Sequence, residues 1–267
     1  MLTWLGSLGV LATILTASSA AADDAALRRE LTPTGKLRVA IAVAPNPSAL
    51  YVIKEGDGFR GVAVDLGTAM AKKLGVAVQF VPFLASGEIQ NSASSGVWDV
   101  TFMPYDAERA KFVDFGAAYH LLQSTYLVAP GASVASIAAI NRPAMRVAGV
   151  ANTATYRAAH KASPEATFID VPGVDAAIEL MKAGKADAIA LSRESLTGLA
   201  AKIPGTRILD GGFLNSVTAV AVPKGKPVAR EFVTAFVEEA KASGLVRRAF
   251  DAIGLKSAQV APAGMKR

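Results

Sequence analysis

Apolar positions along the chain switch between two periods, and the switches mark out a series of elements. Lys36 to Val43 alternates and is rich in branched residues, which predicts a first strand. It runs into Ala44-Pro45-Asn46-Pro47-Ser48, a rigid loop because each proline fixes its own φ and restricts the residue before it. Gly56 to Gly61 predicts a hairpin-like turn. In Val62 to Gly75, residues Leu66, Ala69, Met70 and Leu74 recur at helical spacing, with Asp65 suited to the helix start and Gly75 to its stop. A strand over Val76 to Pro82 follows, then a Ser/Gly turn at Ala85-Ser86-Gly87, a short helix around Ile89 to Ser94 and a strand over Asp99 to Met103. This β-α-β-α-β order predicts a parallel sheet covered by helices.

The alternation then starts again. Beyond a strand at Ser124 to Pro130, strands are predicted at Met145 to Val150, Thr167 to Val171 and Ala186 to Leu191. Helices are predicted over Thr153 to His160, Val174 to Ala183 and Ser192 to Ala201, which makes a second α/β unit. A faint echo links the two units. Phe80-Val81-Pro82 leads through a helix to Gly96-Val97-Trp98-Asp99-Val100, and Ile169-Asp170-Val171-Pro172 leads through a helix to Gly184-Lys185-Ala186-Asp187-Ala188. A strand over Ser216 to Pro223 precedes a helix to Ser243, with Phe232, Phe236 and Ala240 on one face, and a short helix from Gly244 to Ile253. The tail from Ser257 to Arg267 has little to bury and is expected to be loose.

Composition narrows the picture. A chain of 267 residues, 52% of them apolar, is long enough for one large domain or two ordinary ones. The net charge of +6 is spread thinly, with no basic stripe, aromatic sheet motif or zinc spacing, so nucleic acid is not an expected partner. A mild positive field favours anionic small molecules or an anionic surface. The absence of cysteine excludes thiolate catalysis, disulfides and cysteine-ligated metals. With only His120 and His160, no metal site is expected, and nothing calls for a cofactor. Residues 1–22 have the shape of a secretory signal peptide, an apolar run followed by small residues, although no Lys or Arg precedes the run. Cleavage is expected near Ala20 to Ala22, with export to the periplasm, and no later stretch is long enough to span a bilayer.

The most pointed chemistry lies in Asp99 to Tyr119. Pro104 breaks the strand, and Asp106-Ala107-Glu108 resembles the acidic opening turn of a helix, so Arg109 sits just past a strand end. Ligands of open α/β sheets collect at the carboxyl ends of strands, and a fixed guanidinium there is a fork for a carboxylate. The competing reading is a surface pair with Asp106 or Asp114. Asn46 is similarly held at a strand end with donor and acceptor on display, or else is a turn residue.

The segments GKLRVAIAV, GVAVDLGTAMAKKLG, SSGVWDVTFM, DAERAKFVDF with Tyr119 beyond it, RVAGVANTATY and AGKADAIAL, in that order, resemble the solute-binding proteins of ABC importers, in the family that includes polar amino-acid receptors. The resemblance runs from about Lys36 to Leu255. It implies an α/β, two-lobed Venus-flytrap fold of type II, each lobe a helix-covered, mostly parallel sheet, joined by two hinge strands. Lobe 1 would comprise residues 23–129 and 221–267, and lobe 2 residues 130–220. It also implies a monomeric receptor for a small carboxylate ligand, serving a cognate permease in the inner membrane. Carried over position by position, Arg109 matches the arginine that pairs with a ligand's α-carboxylate. Asn46, Ser86, Met103 and Pro104 match cleft positions of the first lobe, and Asn152, Thr153, Ala154 and Thr155 match an anion-binding loop and helix start in the second.

Two departures change the expected ligand. Pro104 stands where amino-acid receptors commonly carry a small hydroxyl residue, and Ser192 stands where they carry the aspartate that pairs with the α-ammonium group. An ammonium facing serine loses a charge-assisted hydrogen bond worth about 1.5 to 3 kcal/mol. Arg193 would repel a cation, and Glu194 is the acid placed to substitute. The expected ligand is therefore a carboxylate whose amino group is absent, blocked or recognised in another way. Tyr105 and Tyr156 are the candidates for stacking on it. Two other classes compete. An exported dehydratase or lyase on the same fold needs a titratable group at the cleft, and only Glu194, Glu88 and Asp106 are acids placed for it. A ligand-sensing subunit would require a separate partner, since no DNA-binding or kinase-like segment is present.

Overall fold

The computed structural model describes residues 22–44, 48 and 50–265. The expected signal segment up to residue 21 and the loop that carries Asn46 lie outside the described residues. Among those described, no helix is long and apolar enough to cross a membrane.

Helix α1 (residues 22–31), not anticipated from the sequence, precedes β1 (Lys36–Ala42), the hairpin β2 (Ile53–Glu55) and β3 (Gly58–Arg60), and α2 (Val62–Leu74), which stops on Gly75 in the left-handed conformation. Then come β4 (Ala77–Phe83), α3 (Ser86–Asn91), β5 (Val100–Pro104) and β6 (Val113–Val128). The second unit contains β7 (Arg146–Val150), α4 (Ala154–Ala162), β8 (Thr167–Val171), α5 (Val174–Lys182), β9 (Ala188–Ser192) and α6 (Arg193–Ala200). The chain closes with β10 (Arg207–Ile208), β11 (Leu214–Pro223), α7 (Pro227–Ala242), α8 (Leu245–Ala252) and β12 (Gln259–Val260).

Ten of these strands form one sheet in the order β4-β1-β5-β11-β6-β9-β7-β8, with β10 and β12 also paired to β6, and β2 and β3 pair apart from it. At one end β1 is parallel to β4 and β5, and at the other β7 is parallel to β8 and β9. Among the described residues only β6 and β11 join the ends. They pair antiparallel from Val113↔Pro223 to Ser124↔Leu214, with register shifts between Thr218 and Ala221, and from Ser124 onward β6 pairs with β9.

The 16-residue β6 is longer than the strand expected at Ser124 to Pro130. Most of its side chains are buried irrespective of face, so it lacks the alternation that marks a half-exposed strand. The tail also differs from expectation. β12 pairs with β6 at Leu121 and His120, the Ala118 amide donates to the Met265 carbonyl at 2.9 Å, and Arg247 donates to the Ala258 carbonyl at 2.6 Å. An unpaired stretch of β6 edge offers that tail the backbone partners that composition did not reveal.

One core cluster packs Val39, Ile41, Val100 and Val220 of the sheet against Leu66 and Met70 of α2, Val233 and Phe236 of α7 and Phe250 of α8. A second cluster is shared between the ends: Ala42, Ile89 and Met103 from one, Val150, Val174 and Leu191 from the other. The echo in the sequence has a structural counterpart. The Arg38 amide and Nε donate to Asp99 Oδ2 at 3.0 and 2.9 Å and its Nη2 to Oδ1 at 2.7 Å. The Arg146 amide and Nε donate to Asp187 Oδ2, both at 2.9 Å, and its Nη2 to Oδ1 at 2.6 Å. Each half of the sheet is thus clasped by one bidentate Arg–Asp pair between neighbouring strands.

Helix α4 is seated on β7 through Gly149, where a Cβ would lie 2.1 Å from Tyr156 Cδ2. The Tyr156 ring cannot easily withdraw, because its hydroxyl donates to Asp170 and the ring meets His160 and Phe168 in edge-to-face contacts. Gly149→Ala is expected to destabilise the protein by about 1 to 3 kcal/mol through overpacking. The check is a lower urea midpoint at unchanged slope; an unchanged midpoint would mean that the ring has room to move.

Candidate functional site

The site begins where β5 ends. Pro104 is the last residue of the strand, paired with Thr218, and its carbonyl points to Arg109. The following turn is set by Asp106, whose Oδ1 accepts from the Glu108 amide at 2.7 Å and the Arg109 amide at 3.4 Å. Arg109 therefore opens a short 3-10 turn, Arg109–Lys111, instead of the expected α-helix. Glu108 faces outward and binds Lys111 at 2.7 Å.

The surface reading of Arg109 does not hold, because its side chain is fully buried and no ion pair to it occurs among the described residues. Nη1 donates to the Pro104 carbonyl at 3.2 Å and Nη2 to Ser86 Oγ at 2.8 Å, while Nε has no partner among the described residues. Burial, and then the charge of Arg157, pull its pKa down to about 10 against the opposing fields of Asp106 and Tyr51. At neutral pH it remains a cation. Ser86 belongs to the first turn of α3, which starts three residues earlier than expected and takes in part of the predicted Ser/Gly turn; Ala85 is the N-cap, and Glu88 accepts from the Leu84 amide at 2.9 Å.

The facing wall is the start of α4. Asn152 has φ of 60°, Thr153 is the N-cap accepting from the Tyr156 amide at 3.2 Å, Ala154 is buried, and Thr155 Oγ1 lies 3.1 Å from Ser124 Oγ. The two walls touch. A Cβ on Gly87 would lie 2.8 Å from Asn152 Cβ and 2.9 Å from its carbonyl oxygen, so only glycine fits there with the walls at this separation. One turn along α4, Arg157 reaches Asp106, with Nε 2.9 Å from Oδ2 and Nη2 on the same oxygen. Burial works to raise the pKa of Asp106, but the hydrogen bonds and charge of Arg157 outweigh it and hold the carboxyl below its ordinary value.

The remaining residues named from sequence divide. Ser192 is buried at the end of β9, and its hydroxyl is engaged locally, donating to Ser195 Oγ at 2.9 Å and accepting from the Ser195 amide at 3.3 Å. Met103 is fully buried in the shared core cluster. Glu194 does not turn toward Arg109's wall; its Oε1 lies 3.2 Å from His120 Nε2, and His120 Nδ1 lies 3.2 Å from Thr218 Oγ1. Arg193 donates to Gln123 Oε1 at 2.7 Å and to the Leu209 carbonyl at 3.1 Å. Tyr156 is engaged with Asp170 and the His160 and Phe168 rings, whereas Tyr105 lines a cavity of about 560 Å³ between the walls with Asp106, Ala154, Arg157 and Phe213. Sequence reasoning missed Tyr51. It is buried, and burial raises its phenol pKa to about 12 against the opposing charge of Arg109. The available signal was its place just after the proline-set loop at a strand's carboxyl end. Among the described residues no group of acids and histidines could hold a metal ion.

Solved structures share this architecture. An ancestral amino acid-binding protein, AncCDT-1, a precursor of cyclohexadienyl dehydratase, is 27% identical with a TM-score of 0.73, covering 84% of this chain and 97% of its own. An ancestral arginine-binding protein bound to glutamine is 26% identical with a TM-score of 0.72, covering 83% of this chain and 98% of its own. The amino acid ABC transporter substrate-binding protein AbpA from Streptococcus pneumoniae, bound to L-arginine, is 22% identical with a TM-score of 0.73, covering 84% and 97%, and shows the fold alone. No curated protein sequence matches the chain. The fold is the two-lobed type II binding-protein fold, with β6 and β11 as the two strands between lobes. The profile of bacterial extracellular solute-binding proteins, family 3, matches residues 37–253, and the chain belongs to that family.

Proposed function

We propose that the protein is the periplasmic receptor of an ABC importer and holds a small carboxylate-bearing solute between its lobes, with Arg109 as the carboxylate partner. The observation that carries this reading is the buried Nε of Arg109, a charged donor with no partner among the described residues, beside Ser86 and the Pro104 carbonyl. A buried cation of this kind is costly unless an anion completes it. The units that close on the ligand are residues 23–129 with 221–267 and residues 130–220; the pairing of β6 with β9 from Ser124 to Val128 lies just ahead of that division and supports a crossing there. Signal-peptide export, a monomeric state and a membrane permease as partner belong to the same reading.

A binding role is favoured over catalysis because the acids beside Arg109 are already engaged, Asp106 by Arg157 and Glu88 by the Leu84 amide, while Glu194 sits with one oxygen on His120 and the other, buried, without a partner among the described residues. The absence of a carboxylate at Ser192 supports a ligand without a conventional free α-ammonium group, since the Ser192 hydroxyl is occupied in its own helix cap.

In a thermal-shift comparison, N-acetylated amino acids and simple carboxylates are expected to raise Tm more than the free α-amino acids. The reverse order would sink the ammonium argument. For the carboxylate that raises Tm most, Arg109→Ala should weaken binding by roughly tenfold or more, the loss of at least one charge-assisted hydrogen bond, with an unchanged circular dichroism spectrum. Unaltered affinity would remove Arg109 from the site. With the same compound, X-ray scattering should show wild-type protein becoming more compact and Gly87→Ala failing to do so, because the added methyl meets backbone at Asn152; equal compaction would show that the walls do not need this contact.

A further inference from the structure

Asp106 lies between two guanidinium groups that belong to opposite walls. Its Oδ2 takes both donors of Arg157 on α4, and its Oδ1 caps the turn that carries Arg109. It is also the carboxylate whose charge is felt at Arg109. With the walls together, the acid is committed to Arg157, and Arg109 is buried with an Nε that has no partner among the described residues. Moving α4 away takes Arg157 from Asp106. Arg109, whose amide already donates to Asp106 Oδ1 at 3.4 Å and whose charge interacts with that carboxylate, is then the neighbouring cation on the same turn.

A charge count gives this arrangement its consequence. Together the walls gather two guanidinium groups and one engaged carboxylate: Arg109 is fully buried, Asp106 is largely so and Arg157 is partly exposed. Uncompensated buried charge is strongly unfavourable, so Arg109 in that arrangement calls for one further anion. Apart, the single acid neutralises Arg109, while Arg157 is left to solvent, where a lone charge costs little.

We propose that Asp106 is an exchangeable counter-ion: it neutralises Arg109 while the lobes are apart and passes to Arg157 as they close, so that a carboxylate reaches Arg109 only together with closure. This rests on the reading that Arg109 receives the ligand's carboxylate. Asp106 and Arg157 are then positioning residues. They make an anion's affinity depend on whether it lets the walls meet, and they screen Arg109 from small inorganic anions in the open cleft.

The test uses protein labelled with 15N-arginine and follows the Arg109 Nε–Hε cross-peak, assigned by its loss in Arg109→Lys, in wild type, R157Q, D106N and the double variant. Asn keeps the side-chain oxygen that caps the turn, and Arg157 is partly exposed, so these substitutions leave the fold in place. Counter-ion exchange predicts that R157Q moves the cross-peak downfield, as Asp106 turns to Arg109, and that adding D106N returns it. An unmoved cross-peak in R157Q overturns the proposal. Acetate serves as the carboxylate probe. Its affinity, read from the same cross-peak, should fall roughly tenfold in R157Q and recover in the double variant. Equal weakening in R157Q, D106N and the double variant would mean that the pair is a simple structural clasp, and would also overturn the proposal. If acetate leaves the wild-type cross-peak in place while R157Q moves it and D106N returns it, the carboxylate reading fails and the exchange stands.

Discussion

A guanidinium with no exposed surface and, among the described residues, no acid at pairing distance constrains everything around it, and Arg109 is such a group. Two of its donors are satisfied by atoms whose positions it then fixes. The Pro104 carbonyl must stay at the end of β5, and the Ser86 hydroxyl must stay in the first turn of α3. Because α3 begins there, Gly87 is carried to the backbone of Asn152, and the separation of the walls follows from the absence of a single Cβ. The turn that presents Arg109 is in turn tied to the other wall through Asp106 and Arg157. One desolvated charge thus links the strand end, a helix start and the contact between lobes.

The scaffold isolates this region from the rest of the chain. Each half of the sheet carries its own bidentate Arg–Asp clasp, Arg38 with Asp99 and Arg146 with Asp187, away from the strand ends that face the cleft. Arg146 holds the Asp187 carboxyl below its ordinary pKa, mainly through its hydrogen bonds, so this clasp contributes at neutral pH and weakens as Asp187 takes up a proton in strong acid. Between the halves, β6 and β11 provide a continuous antiparallel connection whose register shifts lie between Thr218 and Ala221. Such irregularities concentrate bend and twist in a ladder, which suits strands that must pass from one lobe to the other.

Most elements were legible in the sequence because their periodicity follows one exposed and one buried face. Helices α2, α4, α5 and α7 are of this type, with Gly75 and Thr153 marking ends where they were expected. The long β6 was not, because a strand covered on both sides has no polar face to betray it. The tail was missed for a different reason: Gln259 and Val260 are held by backbone pairing to a non-local edge, which side-chain composition does not encode. At the site, Arg109 stood out from its place after a strand, but its burial depends on α3 and α4 arriving from elsewhere in the chain. Tyr51 and the Asp106–Arg157 pair were hidden for the same reason. Ser192 was legible as a position, and only the structure reveals that its hydroxyl serves α6.

The pairing of β12 with β6 at His120 and Leu121 gives the first and last described segments unequal mechanical roles. Helix α1 enters only the first-lobe core, through Leu27 and Leu31, whereas the last described residues lie along a strand that passes between lobes. A tether or reporter attached beyond Met265 would therefore load the crossing strand itself, and one attached ahead of α1 would leave it mechanically untouched.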